Sequence, residues 1–176
     1  MSPIGAADLA TAQRTVRKCY LVILANTIWL LIPLMGLLTG NNLEVIMIAL
    51  VTAFAFLILS NNYLANHWYY YSDRAKGTIY KSHFDNIDHI GFITFFVTLI
   101  SSLLFLMLSV IVANLLKSAI GAAIVLMLDV ALTAILGGLA FWVAKRASSG
   151  LALAAKGREF SHDGGGGIFG LGAAGR

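Results

Sequence analysis

One carboxylate, Asp129, lies in the middle of the last long apolar run of the sequence. An acid at the centre of a membrane costs about 2.5 kcal/mol or more, so it marks a helix-bundle interior, an ion pathway or a partner contact. Its neighbours at helical spacing are small or polar, namely Ala122, Thr133 and Gly137, and small faces are where membrane helices pack. We interpret Asp129 first as polar glue between helices and second as a group that handles protons or ions.

Hydroxyl-bearing residues occur at a matching depth in the preceding apolar run. If the two runs pair in antiparallel fashion, Asp129 lies level with Phe105 and within about one turn of these hydroxyls. In the first apolar run, Pro33 lies at a similar depth and leaves a backbone carbonyl one turn earlier without its usual donor. The residues predicted to pack polar groups inside the membrane are Asp129, Thr133, Ser101, Ser102, Ser109 and Pro33.

Two histidines and two aspartates are crowded into residues 83–89. On a helix, Asp85 and His89 share a face, which is a geometry that suits a divalent cation. The spacing of a zinc enzyme, such as His-Glu-x-x-His, is absent, and a solvated helix start whose carboxylates oppose the helix dipole is the favoured interpretation. No metal or other cofactor is therefore expected, and the residues to examine for a metal are His83, Asp85, Asp88 and His89.

The motifs of enzymes are missing from the sequence. There is no phosphate loop, nucleophile elbow or dinucleotide fingerprint, and the four glycines at 164–167 are not followed by Lys-Ser or Lys-Thr. The one cysteine, Cys19, excludes an internal disulfide and a thiolate metal site. We predict that the protein is not an enzyme.

The elements that must position these residues are membrane helices. Apolar residues make up 59% of the 176-residue chain and charged residues only 11%, whereas about a quarter of a soluble domain is charged. A membrane-spanning helix needs about 20 apolar residues, and helices pair their own backbone groups in lipid. We predict an all-α integral membrane protein with four transmembrane helices, at about 19–38, 45–63, 90–116 and 119–144.

Short links and the distribution of charge predict how these helices are arranged. The links before the second and fourth spans are short, so each pair should form an antiparallel hairpin. Eleven of the twelve Lys and Arg residues lie in the N-terminal arm 1–18, the central loop 64–89 and the tail 145–176, and Lys117 lies alone on the other side. The positive-inside rule then places both termini in the cytoplasm, and we predict that the spans lie in a bacterial inner membrane.

Three details of the chain outside the later spans are also predicted. The first span is an uncleaved anchor rather than a signal sequence, because it is long and lacks a small-x-small cleavage site. In the central loop, 66–71 extends the second helix into the headgroups, Gly77 breaks the chain, and Ser82 begins the third helix with carboxylates in its first turn. The glycine-rich tail is either a flexible end or a segment that orders on a partner subunit, through Ile168, Phe169 and Leu171.

The layout is similar to that of the small four-span inner-membrane components of plasmid conjugal-transfer and type IVB secretion machines, which include TraQ-like and DotE-like proteins. The likeness lies in the size, the span count, the basic arm 14–18 and the glycine-rich tail 164–175. It implies a structural subunit of a conjugation channel or pilus-associated assembly. Its partners would be the lipid bilayer and other membrane protein subunits, in a homo- or hetero-oligomer, without direct binding of nucleic acid.

Two other classes fit the same residues. The first is a small oligomeric channel or transporter that uses Asp129. The second is a membrane anchor subunit of a respiratory or cofactor-containing complex. Ion flux that depends on Asp129 would indicate the first class, and a redox partner that co-purifies with its cofactor would indicate the second.

Overall fold

Every regular element in the described part of the chain is a helix. Helix α1 spans Ala6–Asn26 and continues as a 3-10 helix, Thr27–Leu31. A short apolar helix, α2, lies within Leu50–Ser60. Two much longer helices follow, α3 at Tyr80–Leu115 and α4 at Ala119–Ala155. The computed structural model describes residues 6–31, 34, 38, 50–52, 54–60, 75–116 and 119–160.

Helices α3 and α4 are long and apolar enough to cross a membrane. With 36 and 37 residues, they extend for about 54 and 56 Å at a rise of about 1.5 Å per residue. Most of the apolar side chains along their middle parts remain exposed, so the two helices do not bury these faces against the rest of the described chain. The predicted all-helical fold is confirmed for the described residues, and the runs predicted at 90–116 and 119–144 lie almost entirely within these helices.

The turn before α3 differs in detail from the prediction. Gly77 has a φ of 81°, a left-handed conformation that suits glycine, and the turn at this residue agrees with a break just before the third helix. Helix α3 begins at Tyr80, two residues before Ser82, and no acidic residue lies in its first turn. The reason is local hydrogen bonding: the backbone N–H of Tyr80 donates to the hydroxyl of Thr78 at 3.3 Å, and that hydroxyl donates to the Ala75 carbonyl at 2.7 Å.

Helix α1 packs along the last part of α4. Its buried residues recur every three or four positions, as expected for one face of a helix, and the facing stripe of α4 is built from small residues. The helices approach closely at Gly150, where an added Cβ would lie 2.3 Å from Cζ of Tyr20. The buried residues are Ala12, Val16, Cys19, Tyr20 and Ile23 on α1, and Val143, Ala147, Gly150 and Ala154 on α4.

Helix α3 packs along α4 with its beginning beside the end of α4. Nε of Arg146 lies 2.6 Å from Oδ1 of Asn86, and the rings of His89 and Trp142 are 6.3 Å apart. The first residues of the segment predicted as a tail, 145–155, therefore continue α4 and pack into the fold.

Candidate functional site

A chain of buried and half-buried side chains joins α1, α3, α4 and the segment after α4. We call it the polar network and define it as Tyr20, His83, Asn86 and Arg146 with the backbone carbonyl of Arg158. The side chains of Tyr20, His83 and Asn86 are completely buried. His83 and Asn86 lie three positions apart on α3 and so share a face, which brings both within reach of the Tyr20 hydroxyl.

The hydrogen bonds of the polar network run in one direction. Arg146 Nε donates to Asn86 Oδ1 at 2.6 Å, and Asn86 Nδ2 donates to the Tyr20 hydroxyl at 2.9 Å. His83 Nε2 lies 2.8 Å from the Arg158 carbonyl, and the Tyr20 hydroxyl lies 3.2 Å from His83 Nδ1. Because a carbonyl only accepts, His83 must donate from Nε2 when neutral, which leaves Nδ1 to accept from Tyr20.

The surroundings of the histidine in this network favour its neutral form. His83 lies at the start of α3, ahead of the predicted span 90–116. Burial lowers the pKa of the His83 imidazole from its ordinary value, and the Arg158 carbonyl and the charge of Glu159 oppose that shift. An imidazolium would also lose the acceptor that Tyr20 needs.

Aromatic rings enclose the arginine of the network. The guanidinium carbon of Arg146 lies 5.5 Å from the centre of the Trp142 ring and 5.4 Å from that of Phe160, distances at which a cation interacts with a ring face. Phe160 is itself fixed, since its backbone N–H donates to the Ser82 hydroxyl at 3.0 Å. The arrangement ties the chain beyond α4 to the start of α3 and is suited to holding helices together.

A second set of polar groups lies along the α3–α4 contact. We call it the hydroxyl row and define it as the four buried hydroxyl residues of α3. Among the described residues, none of their side-chain oxygens has a hydrogen-bond partner, and the same is true of Thr133 and of both carboxylate oxygens of Asp129 on α4. Asp129 is completely buried. The members of the hydroxyl row are Thr94, Thr98, Ser102 and Ser109.

The register of the two helices follows from the contact between His89 and Trp142. Ser102 lies 13 residues after His89, and Asp129 lies 13 residues before Trp142. Since both helices rise by about 1.5 Å per residue, Asp129 comes level with Ser102. By the same count, nine residues from that contact, Thr133 comes level with Thr98.

This register differs from the predicted level of Asp129. The prediction paired Asp129 with Phe105, three residues further along, because it centred the connection between the helices on Lys117. Helix α3 ends at Leu115 and α4 begins at Ala119, and the side-chain contacts set a register that connection length alone does not determine. Asp129 is nevertheless buried and adjacent in level to one of the predicted serines.

The remaining predicted packing residues divide into three groups. Ser102 and Ser109 are buried, and Thr133 is half-buried. Ser101 is different, because its hydroxyl donates to the Val97 carbonyl of its own helix at 2.6 Å. Pro33 lies outside the described residues, as do the segment 66–71 and the tail residues Ile168, Phe169 and Leu171.

The histidines and aspartates of 83–89 lie in different surroundings and do not form one cluster. Both ring nitrogens of His83 are engaged in the polar network. Asp85 forms an ion pair with Lys81 one turn earlier, Asp88 is exposed, and His89 lies against Trp142. In the part of the chain that the structure describes, no three residues of the types His, Cys, Asp and Glu come together as metal ligands.

A small cleft opens at one end of the hydroxyl row. Its lining is mostly apolar, and Thr94 belongs both to its wall and to the row. Two of its polar side chains are already engaged, since Thr27 donates to the Leu24 carbonyl and Ser60 to the Phe56 carbonyl. The cleft is lined by Ile23, Asn26, Thr27, Leu30, Leu57, Ser60, Ile90, Gly91, Thr94 and Val143.

Sequence reasoning missed three members of the polar network, Tyr20, Asn86 and Arg146. The three-residue spacing of His83 and Asn86 on one helical face was the available signal, but their partners are about 60 residues away in either direction. What the two polar sets offer is helix packing and, at Asp129, oxygen ligands for a small ion or water. A scan against protein-family models and searches of curated proteins and solved structures find no match to this chain.

Proposed function

We propose that this chain is a non-enzymatic, multi-pass subunit of the bacterial inner membrane that works within a multi-protein assembly. The observation that carries the proposal is the division of α3 and α4 into two faces. Apolar side chains such as Phe96, Leu104 and Met127 are exposed, while the hydroxyl row and Asp129 are buried between the helices. In water the exposed apolar surface would be costly, whereas hydrocarbon or a neighbouring subunit accommodates it.

The arrangement proposed is four spans in two antiparallel hairpins, with both termini in the cytoplasm. The contact of Asn86 with Arg146 supports the second hairpin, because it pairs the beginning of α3 with the end of α4. The excess of basic residues in 1–18, 64–89 and 145–176 supports the orientation. The polar network then lies at the cytoplasmic end of the bundle.

The length of the helices supports a role in assembly. Helices of about 54 to 56 Å exceed a hydrocarbon core of about 30 Å by more than 20 Å. The extra length of the two helices contains the polar network and the part of α4 on which α1 packs. It therefore forms a structured projection from the membrane. Together with the sequence layout, this projection supports a subunit of a conjugation or type IV secretion apparatus, or of a pilus, that binds other membrane proteins.

Accessibility of introduced cysteines tests the orientation. In a chain carrying Cys19→Ala, we expect Asn41→Cys to react with a membrane-impermeant maleimide in intact spheroplasts. Asp88→Cys, at an exposed position beside the polar network, should react only after the membrane is opened. Reaction of Asp88→Cys in intact spheroplasts would reverse the orientation.

Purification from native membranes tests the assembly. In mild detergent we expect the chain to migrate as a complex larger than its 18.9 kDa, and mass spectrometry of that complex identifies the other subunits. A species of monomer size under all mild conditions would contradict the proposal.

A small oligomeric channel or transporter is the second candidate function. The specific observation that favours it is the set of unpaired oxygens around Asp129, because polar groups that pack helices together normally pair with each other. Ion flux into liposomes that is lost in Asp129→Asn would favour this candidate over a purely structural role.

A further inference from the structure

Five of the seven unpaired side-chain oxygens along the α3–α4 contact lie within about one helical turn of each other along the bundle. Asp129 and Thr133 on α4 come level with Ser102 and Thr98 on α3, which together provide five side-chain oxygens. Asp129 is 0% exposed, and Ser102 and Thr98 are each 2% exposed. An unsatisfied buried polar group costs about 1 to 3 kcal/mol, so these groups need a ligand.

The hydroxyls of this level are free to serve a ligand because they do not return to their own backbone. Ser101 shows the alternative, since its hydroxyl donates to the Val97 carbonyl one turn earlier. The neighbouring Ser102 has no such partner among the described residues. The difference lies in which face each residue occupies, as Ser102 is on the buried contact face and Ser101 is only half-buried.

Charge balance limits the kind of ligand. Asp129 is the only ionisable residue between 119 and 144, and residues 90–116 contain none. A monovalent cation therefore leaves the site neutral, whereas a divalent cation leaves one uncompensated positive charge, which is costly to bury. Ligands that are all oxygen favour a hard cation.

We infer that Asp129, Thr133, Ser102 and Thr98 form a binding site for one desolvated monovalent cation such as Na⁺. This inference rests on the ion-handling candidate above and names its ligand. Thr94, one turn from Thr98 on the same face, lines the cleft at the end of the hydroxyl row, so the cleft lies about one helical turn from the site. The carboxylate supplies the charge and the hydroxyls replace water around the ion.

Carbodiimide labelling of the purified full-length protein in mild detergent tests the site. Dicyclohexylcarbodiimide adds to a protonated buried carboxyl and rearranges to a stable N-acylurea, and peptide mass spectrometry measures the labelled fraction of Asp129. We expect NaCl to slow labelling relative to choline chloride at the same ionic strength and pH. The slowing should reach about tenfold when the Na⁺ concentration is about ten times its Kd.

Matched substitutions identify the hydroxyl ligands. The double variant Thr98→Val with Ser102→Ala keeps the carboxylate and removes two ligands, so the Na⁺ concentration for half-protection should rise about tenfold or more. Ser101→Ala removes a hydroxyl bonded to its own helix and should leave that concentration unchanged. A second readout, the rise in melting temperature with NaCl over choline chloride, should disappear in Asp129→Asn.

Three outcomes would overturn the inference. The first is equal labelling of Asp129 in NaCl and choline chloride together with equal melting temperatures in the two salts. The second is stronger protection by CaCl₂ than by NaCl. The third is a Ser101→Ala variant that loses protection as much as the double variant. Native gels of the same samples report the assembly separately, so an intact complex without Na⁺ protection counts against the cation site alone.

Discussion

At the scale of single residues, the polar network owes its stability to the direction of its hydrogen bonds. Each group from Arg146 to the Arg158 carbonyl donates to the next, so Tyr20 both accepts from Asn86 and donates to His83. This order requires a neutral imidazole that accepts at Nδ1. The network is therefore sensitive to one proton.

Acidification should weaken the fold through His83. Because burial lowers the pKa of this imidazole below its ordinary value of 6.5, the unfolded chain takes up a proton that the folded chain resists. The free energy of unfolding then decreases as the pH falls below about 6.5. Melting temperatures in detergent should fall in that window for the wild type and fall less for His83→Gln. If His89→Gln reduced the pH dependence of the melting temperature more than His83→Gln did, the role assigned to His83 would be contradicted.

Gly150 is required by the ring of Tyr20. In Gly150→Ala the new methyl group would lie 2.3 Å from Cζ of Tyr20, so the ring must move away from its hydrogen-bond partners. We expect a loss of about 1 to 3 kcal/mol or more in the free energy of unfolding. The matched control is Gly138→Ala in the same helix, where an added Cβ meets no atom within 4 Å and helix propensity favours alanine. Comparable melting temperatures for the two variants would count against this contact.

At the scale of the helices, hydrophobic patterning predicted more than charge patterning did. The apolar runs and the polar stripe with Ser102, Ser109 and Asp129 were predictable, because an uncharged stretch has few alternatives to a helix. Residues 145–155 are good helix formers, but their packing on α1 was not predicted. Lys145 and Arg146 indicate where a membrane span ends, but the helix continues because Ala147, Gly150 and Ala154 pack on α1.

Contacts between distant segments explain what the sequence did not predict. A glycine inside a helix usually destabilises it, and only the close approach of the Tyr20 ring explains why residue 150 is a glycine. The level of Asp129 differs from the predicted one by two or three residues because the connection between α3 and α4 leaves the register open. That register depends on side-chain contacts such as His89 with Trp142.

Arg146 should act on the packing of the helices through its shape as well as its charge. Its Nε donates to Asn86 while its guanidinium lies against Trp142 and Phe160, and a lysine ammonium cannot reproduce this planar arrangement. Arg146→Lys should therefore lower the melting temperature. The adjacent exposed residue offers a control, since Lys145→Arg should leave it nearly unchanged. Full stability in Arg146→Lys would show that charge alone suffices.

At the scale of the whole molecule, the polar network and the polar groups around Asp129 have different proposed roles. The polar network fastens the projecting ends of the helices, and the contact around Asp129 lies within the proposed spans. Substitutions in the polar network should therefore impair assembly, whereas substitutions around Asp129 should impair ion handling.

Two substitutions of Asp129 should distinguish packing from chemistry. Asn has the shape and hydrogen-bonding capacity of a protonated acid, so Asp129→Asn should assemble normally. Asp129→Leu places a branched apolar group on a small, polar contact and should disturb the complex. Detergent-stable complex on a native gel and activity in cells are the two measurements. An Asn variant that assembles fully but is inactive would make ion handling the principal function.

Removal of residues 161–176 tests the predicted partner contact of the tail. A chain that ends at Phe160 retains the whole polar network, so its insertion and melting temperature should remain unchanged. We expect reduced assembly if Ile168, Phe169 and Leu171 bind a partner subunit. An undiminished complex on a native gel would indicate that the tail is a simple flexible end.

The contact of Tyr20 with Gly150 also implies a delay during biosynthesis. The two residues are 130 positions apart, and ribosomes add about 5 to 20 residues per second. The first helix therefore waits roughly 7 to 26 s after its own synthesis before its partner on α4 exists. Until His83 and Asn86 have been synthesised, about halfway through that delay, the Tyr20 hydroxyl has none of its final hydrogen-bond partners, so we expect the insertion machinery or a chaperone to shield the nascent helix. Nascent chains arrested before Gly150 should remain crosslinked to such a factor through a photoreactive group at Tyr20, and chains arrested well beyond Phe160 should be released from it.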